Sequence, residues 1–287
     1  MTKTLSQSAL REHRQNNILA GLPPEVYERL APNLELVPLK TGSVLYEDEA
    51  QMRYIYFPTD SIVALLCGAG HGPSQEIALI GNEGLVGIAL FVGGPPASSR
   101  AVVQSGGCAY RLNSSALKRE FDLGGALRGA LLHYTQALVK MMAQTASCNR
   151  HHPVERQLCR WLLSSIDRSP SNELLLPPDL TANMPGLRRE GVAGAAGRLH
   201  ADGAINYSCD RIAVLDRTKL ETLACDCYAA IKKEFDHLLS AQQFQADTYR
   251  APASARASYL APWHVGGDTP DFLKVDRAFA GNAIPRT

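Results

Sequence analysis

The stretch DLTANMPGLRREGVAGAAGRLHADGAI, residues 179–205, decides the fold of the C-terminal part of the chain. Pro185-Gly186 predicts a turn between two helices, and Gly203 is a suitable residue for ending the second helix. The second helix has an apolar inner stripe at helical spacing, formed by Val192, Ala195, Ala196 and Leu199. The stretch therefore predicts a helix-turn-helix.

The start of the second helix carries Arg188, Arg189 and Glu190. An arginine fork can bond guanine O6 and N7 together, and a glutamate can accept from a cytosine amino group. Two cations at the positive end of a helix are unfavourable unless an anion lies nearby. We therefore predict DNA contact here; the alternative is a solvated first turn.

A β-hairpin is predicted after this helix, because residues 205–207 and 212–215 alternate like two strands. Such a hairpin would form a wing. Arg198 of the helix and Ser208 and Arg211 near the hairpin tip are further candidate DNA contacts. Gly191, Gly194 and Gly197 weaken the helix and suggest close packing on a neighbour or on DNA.

A heptad pattern precedes this region and predicts a long helix that pairs with a second copy of the chain. The alternative is a helix packed on its own domain. The predicted dimer contacts are Leu127, Leu131, Tyr134, Leu138 and Met141, and the pattern continues at Thr145 and Cys148.

Short apolar runs with turn residues about every ten positions fill residues 34–113 and predict a sandwich, barrel or jelly roll. The fold class is thus α+β, with a β-roll, a long dimerisation helix and a C-terminal winged helix-turn-helix. The predicted parts are N-terminal helices at 1–33, the β-roll at 34–113, the dimerisation helix at 114–149, the winged helix-turn-helix at 150–242 and an irregular tail at 243–287. Within the winged helix-turn-helix, a last helix is predicted from about Arg217 to Gln242.

This order of parts resembles the Crp/Fnr family of transcription regulators over about residues 17–240. The resemblance rests on Gly186–Val192, which matches a Gly-x-x-Arg-Glu-x-Val pattern, and on Gly81-Asn82-Glu83-Gly84-Leu85-Val86-Gly87. It implies that Arg189 and Glu190 read base edges and that a two-fold dimer binds palindromic double-stranded DNA.

The family's cyclic-nucleotide pocket would fall on Glu83, Gly84, Arg100 and Ala101. Here the arginine is shifted next to the alanine, and a one-residue shift turns a strand side chain to the other face. We therefore expect a non-canonical effector pocket for an unknown small molecule. No cofactor is predicted, and a cyclic nucleotide is disfavoured.

Neither a metal site nor catalytic residues are predicted. The family's oxygen sensors use N-terminal cysteines, but the first cysteine here is Cys67. Cys225 and Cys227 would point apart on a helix and lack two further zinc ligands, so free thiols are expected. Cys148 and Cys159 are weak candidates for redox sensing, and His151-His152 is expected to be a solvent-exposed pair, with a metal role as the alternative.

A cupin-type metalloenzyme is disfavoured, because its metal site would need a His-x-His pair and His71 is the one histidine of the β region.

Composition indicates a soluble globular protein in which any DNA binding must rest on a few well-placed arginines, because there is no bulk positive charge. The net charge is +1, and residues 150–240 hold twelve basic and twelve acidic side chains. The sequence has neither an apolar run long enough to cross a membrane nor the apolar core of a signal peptide, so we expect a cytoplasmic protein that does not bind membranes. The expected partners are a second copy of the chain, DNA and RNA polymerase. The alternative is a dimeric scaffold or protein-interaction adaptor with a vestigial winged helix.

Overall fold

A computed structural model describes residues 15–47, 52–68, 74–93, 99–169, 171–175, 189–208 and 211–250. These residues form a β-roll, a long helix and a C-terminal unit of helices with a small sheet. The predicted α+β class is therefore confirmed. None of the helices in these ranges is long and apolar enough to cross a membrane.

The β-roll consists of two antiparallel sheets, in strand order β1-β7-β3 and β2-β6-β4-β5. Two short helices precede it, α1 (Asn17–Ala20) and α2 (Pro24–Leu30), and α3 (Ala89–Val92) lies within it. The strands are β1 (Leu34–Leu39), β2 (Val44–Tyr46), β3 (Tyr54–Pro58), β4 (Ile62–Cys67), β5 (Gln75–Ile80), β6 (Arg100–Ser105) and β7 (Gly107–Asn113).

Strand β4 is apolar at every position, because both faces of its sheet are covered. Val63 and Leu65 belong to the core inside the roll, whereas Ile62, Ala64 and Leu66 pack against the C-terminal unit. A strand that is buried on both sides loses the apolar–polar alternation of a half-exposed strand. The C-terminal unit is thus docked directly on the outer face of the sheet.

The predicted helix at 114–149 is two helices, α4 (Ser114–Asp122) and α5 (Gly125–His151). Gly124 and Gly125 separate them with φ angles of 78° and 77°, a left-handed conformation that favours glycine. Helix α5 packs on β5 of the roll and on the last helix of the chain.

The C-terminal unit begins at Pro153, which precedes α6 (Val154–Ile166). It continues with β8 (Glu173–Leu175), α7 (Arg189–Ala201), β9 (Ile205–Ser208), β10 (Arg211–Val214), α8 (Arg217–Leu223) and α9 (Asp226–Arg250). The strands form one antiparallel sheet in the order β8-β10-β9.

The predicted last helix at 217–242 starts at the residue expected, Arg217, but it is two helices and the second one ends later than predicted. Asp216 caps the start of α8 by accepting from the Lys219 amide at 2.9 Å, and the chain leaves the helix at Ala224 before α9 begins. Helix α9 continues to Arg250, so residues 243–250 are helical and do not belong to an irregular tail. The rest of that predicted tail lies outside the described residues, as do residues 176–188 with the predicted first helix and turn of the helix-turn-helix.

Candidate nucleic-acid interface

Helix α7 presents one apolar and one small, exposed face. Val192, Ala195, Ala196 and Leu199 are buried against α6 and the small sheet, which confirms the predicted inner stripe. Ala193, Gly194, Gly197 and Arg198 lie on the exposed side. Apart from Arg198, these residues are small, so a large partner can approach the helix backbone closely at Ala193, Gly194 and Gly197.

Among the residues that the structure describes, none packs closely on the glycines of α7. A Cβ at Gly197 would meet no atom within 4 Å, and one at Gly194 would meet only the Arg198 side chain at 3.8 Å. At Gly191 a Cβ would make ordinary contact with Val154 at 3.6 Å. Of the two predicted reasons for these glycines, close packing on a neighbouring helix is not seen within the described ranges, so the structure there leaves the glycine face open to an external partner.

The predicted base-reading residues fall at the beginning of α7. Arg189 and Glu190 are its first two residues, where backbone amide groups lack partners within the helix. Arg188 lies outside the described residues. Arg198, by contrast, forms an ion pair with Glu155 of α6 at 2.6 Å, although its side chain is 61% exposed.

The hairpin β9–β10 follows α7 through Gly203, whose φ of 71° ends the helix. Ser208 and Arg211 are paired across its two strands and are both exposed. Arg211 has a distant acidic neighbour, with Nη1 lying 3.8 Å from Glu173. These two residues are thus brought together near the hairpin tip, as predicted.

The predicted effector-pocket residues do not act together in this structure. Glu83 is buried, accepts from Arg168 Nε at 2.6 Å and also accepts from the Gly81 amide. Arg100 is partly exposed and pairs with Glu47 at 3.0 Å. The prediction is corrected because Glu83 already has an internal cationic partner that sequence inspection did not find.

The other two pocket residues are packing positions. A Cβ on Gly84 would lie 2.4 Å from Cε2 of Tyr134, so this glycine makes room for the tyrosine ring. Ala101 is fully buried in the strand pairing of β6 with β2 and β4. Neither residue lines either of the two clefts formed by the described residues at the long helices.

A cleft of about 200 Å³ lies beside the Glu83–Arg168 pair, between the turn at 81–84, the end of α6 and α9. Its lining carries both charges, including Asp167, Arg168 and Lys232. The cleft touches the β-roll and the C-terminal unit at once. A molecule bound there would contact both parts of the chain.

Comparison with solved structures shows that this architecture is shared. FixK2 from Bradyrhizobium japonicum superposes with a TM-score of 0.57 at 17% identity, over 67% of this chain and 98% of that chain. The c-di-GMP responsive global regulator CLP from Xanthomonas campestris has a TM-score of 0.51 at 14% identity, over 66% and 98%. A CRP/FNR family transcriptional regulator from Thermus thermophilus has a TM-score of 0.50 at 20% identity, over 66% and 98%.

The chain has the Crp/Fnr fold. No protein-family model matches the sequence, and no curated protein matches it. The similarity to these solved structures lies in the fold. At sequence identities of 14–20%, the roles of individual residues cannot be transferred from those proteins to this chain.

Within this Crp/Fnr fold, the predicted dimer seam faces the interior of its own chain. Leu127, Leu131, Tyr134 and Leu138 are 0% exposed and Met141 is 4% exposed. They pack on the β-roll, and the Tyr134 hydroxyl donates to the Leu85 carbonyl at 2.9 Å. These residues are therefore core positions and are not available to a second copy, so the alternative of a helix packed on its own domain is the correct one for them.

A second stripe runs along the other face of α5 with the same alternating steps of three and four. It consists of Leu132, Thr135, Val139, Met142 and Ala146 and is called the outer stripe below. Leu132 is 46% exposed and Val139 is 56% exposed, so the stripe presents two large apolar side chains to solvent. Sequence reasoning missed this stripe because the buried one has the longer aliphatic residues.

Two buried polar contacts join the sheet of the Crp/Fnr β-roll to α6. Trp161 Nε1 donates to the Glu76 carboxylate at 3.1 Å, and Gln104 donates to the Ser165 hydroxyl at 3.5 Å. Burial raises the pKa of Glu76 to about 7, against the opposing effects of the Trp161 hydrogen bond and of Arg160 and Arg168. Nothing in the local sequence around Glu76 indicates this environment.

The cysteines do not behave as the scattered thiols that were expected. Cys148, Cys225 and Cys227 form a buried cluster, and His152 lies against it. Cys225 and Cys227 do not point apart, because Cys225 precedes the first turn of α9 instead of lying within it. Burial raises the pKa of Cys159 to about 12, which disfavours the reactive thiolate and argues against redox sensing there.

Proposed function

We propose that the chain is a homodimeric, sequence-specific DNA-binding transcription regulator of the Crp/Fnr type, without catalytic activity. The observation that carries the proposal is helix α7, which begins at Arg189, has an exposed face with small residues and is followed directly by a hairpin. A helix that enters the major groove with its N-terminal residues needs this combination. The shared fold with transcriptional regulators supports the same conclusion.

In this proposal Arg188, Arg189 and Glu190 read base edges, and Ser208 and Arg211 bind phosphate. The exposed glycine face of α7 lets the helix lie close to the DNA backbone. Arg198 has a smaller role, since it must first leave Glu155. With no excess of positive charge in residues 150–240, affinity rests on these few contacts.

The outer stripe of α5 is the surface through which we propose that two copies pair. Apolar residues with heptad spacing allow two such helices to pack around a two-fold axis. A two-fold dimer presents two α7 helices, so the expected operator is a palindrome with half-sites about one DNA turn apart. A regulator in this role would contact RNA polymerase at such promoters, and it would be located in the cytoplasm.

The signal reaches the DNA-binding unit through its docking on the β-roll. The Glu83–Arg168 pair and the cleft beside it lie where a small effector would alter that docking. Glu83 and Arg100, the charged residues of the expected nucleotide pocket, form ion pairs with Arg168 and Glu47. We therefore propose that the effector is a small molecule that does not bind through Glu83 and Arg100. A shift of the unit on the sheet would change the spacing between the two α7 helices.

The test is selection of bound fragments from a random DNA library by the full-length protein, followed by anisotropy titrations of Arg189→Ala. Loss of one base-edge contact should cost about 1–3 kcal/mol on the selected site and relax specificity at one base pair. Arg119→Ala, which changes an exposed arginine of helix α4, is the matched control and should bind as the wild type does.

Equal losses on selected and random duplex would contradict base reading by Arg189. Enrichment of no sequence, together with salt-sensitive binding, would contradict specific recognition by the free protein and require an effector. No binding even at low salt would favour the scaffold or adaptor alternative.

A further inference from the structure

Four metal-ligating side chains from two distant segments converge where the long helix meets the C-terminal unit. Cys148 lies in the last turn of α5, and His152 ends that helix. Cys225 and Cys227 flank the first residue of α9. The four ligand atoms all lie within 4.8 Å of one another.

The spacing of these atoms suits a single ion. The Cys148 and Cys225 Sγ atoms are 3.5 Å apart, and Cys227 Sγ is 3.4 Å from His152 Nδ1. Zinc–sulfur bonds of about 2.3 Å in a tetrahedron place neighbouring ligands about 3.7 Å apart. A multi-iron cluster would hold its thiolates farther apart than one ion does.

A disulfide bond accounts for fewer of these four side chains than a bound metal ion does. A bond between Cys148 and Cys225 would use two of the four groups and leave Cys227 and His152 turned towards it for no reason. Both remaining groups are directed inwards, with Cys227 also accepting from the Gln144 amide at 3.0 Å. The fit is to a set of four ligands.

Arg160 supplies a second, independent observation. This arginine is 4% exposed, and its Nε and one Nη atom have no hydrogen-bond partner among the described residues. It lies within electrostatic range of two acidic groups, the buried Glu76 carboxyl and the Cys148 thiol. A buried cation is stabilised by nearby negative charge, and three thiolates around a divalent ion would add one net negative charge on the Cys148 side.

We propose that Cys148, His152, Cys225 and Cys227 bind one Zn²⁺ ion in a closed Cys3His site. Binding releases the protons of the three thiols, and His152 coordinates through Nδ1. The ion fastens the junction between α5 and α6 to the start of α9. It thereby fixes the C-terminal unit relative to the long helix, independently of whether the chain binds DNA.

The experiment uses the full-length protein in reducing buffer, stripped with chelator and titrated with Zn²⁺ or Co²⁺ alone. The wild type should bind one equivalent, and bound Co²⁺ should show the visible absorption of a tetrahedral thiolate site. Cys148→Ser, His152→Ala and Cys225→Ser should each weaken binding by more than about 100-fold. His151→Ala and Cys67→Ser, a neighbouring histidine and an unrelated thiol, should bind as the wild type does.

Thermal unfolding separates ligand loss from misfolding. In chelator, the three site variants should unfold at the temperature of the stripped wild type, and Zn²⁺ should raise that temperature only for the wild type and the two controls. Sub-stoichiometric binding, retention of tight binding in the site variants, or loss of it in the controls would each overturn the proposal.

Discussion

Gly84 and Gly197 differ in whether the surrounding structure has room for a side chain. At Gly84 an added Cβ would lie 2.4 Å from the Tyr134 ring and 2.5 Å from its hydroxyl, whereas at Gly197 it would meet nothing. The first glycine is required by the position of a fully buried aromatic side chain. The second is not required for folding of the free chain.

We expect Gly84→Ala to lower the free energy of unfolding by about 1–3 kcal/mol, because Tyr134 must move and strain its hydrogen bond to Leu85. Gly197→Ala should raise the free energy of unfolding by up to about 1 kcal/mol, the difference in helix propensity. Denaturant titrations of both variants measure this. A stabilised Gly84→Ala variant would contradict the packing around Tyr134.

Glu76 should make stability depend on pH. Its pKa is raised from 4.5 to about 7 in the folded state, so between these values the folded chain keeps a proton that the unfolded chain releases. The free energy of unfolding should therefore fall as pH rises through this window, by about 3 kcal/mol at most. Glu76→Gln keeps an acceptor for Trp161 and should remove this dependence, so that it is more stable than the wild type at pH 8.

Denaturant titrations at pH 5, 6, 7 and 8 measure the slope for Glu76→Gln and for Glu47→Gln. Glu47 is an exposed carboxylate and serves as the control that leaves the slope unchanged. An identical pH dependence in the wild type and Glu76→Gln would show that folding does not raise the pKa of Glu76.

At the level of elements, helix α5 has two apolar stripes with different partners. One is buried against the β-roll, and the outer stripe is exposed. Helix α9 covers part of the remaining surface, with an ion pair between Lys140 and Glu234 at 2.7 Å. The heptad period indicated a helix with an apolar seam, but the seam that it indicated belongs to the core of the monomer.

Charge on the outer stripe should prevent pairing of two copies. Val139→Arg removes an exposed apolar side chain and puts like charges opposite each other at a two-fold axis, so we expect monomers at concentrations where the wild type is dimeric. Sedimentation velocity measures the mass. Leu215→Arg, which changes a residue that is 64% exposed away from α5, is the control and should stay dimeric.

At the level of the whole molecule, the β-roll and the C-terminal unit share a buried interface. The outer face of the sheet, including Ile62, Leu66 and Val102, belongs to the same apolar cluster as Trp161 and Leu162 of α6. Hydrogen bonds from Trp161 and Arg168 to buried carboxylates cross this interface. Neither part can leave the other without exposing apolar surface.

We therefore expect the two parts to unfold together. Calorimetry should give one transition whose van't Hoff and calorimetric enthalpies agree. Trp161→Ala, which leaves Glu76 unpartnered and creates a cavity, should lower the midpoint without splitting the transition. Two separate transitions in the wild type would show that the units are stable on their own and that the interface contributes little.

The sequence by itself determined the order of parts: short β-strands, a long helix, and a helix followed by a hairpin. The inner stripe of α7 and the pairing of Ser208 with Arg211 were predictable as well. These features follow from local periodicity and turn residues, which act between neighbours in the chain. Helix breaks at Gly124 and Ala224 were missed, because the apolar pattern continues across both of them.

Only the tertiary structure decided which face of α5 is buried, which partner Glu83 has and which thiols meet. A seven-residue period is the same for a helix on its own sheet and for a helix on a second copy. Glu83 and Arg168 are 85 residues apart, and Cys148 and Cys225 are 77 apart. Contacts over such separations depend on how whole elements pack, because no local rule of spacing brings those side chains together.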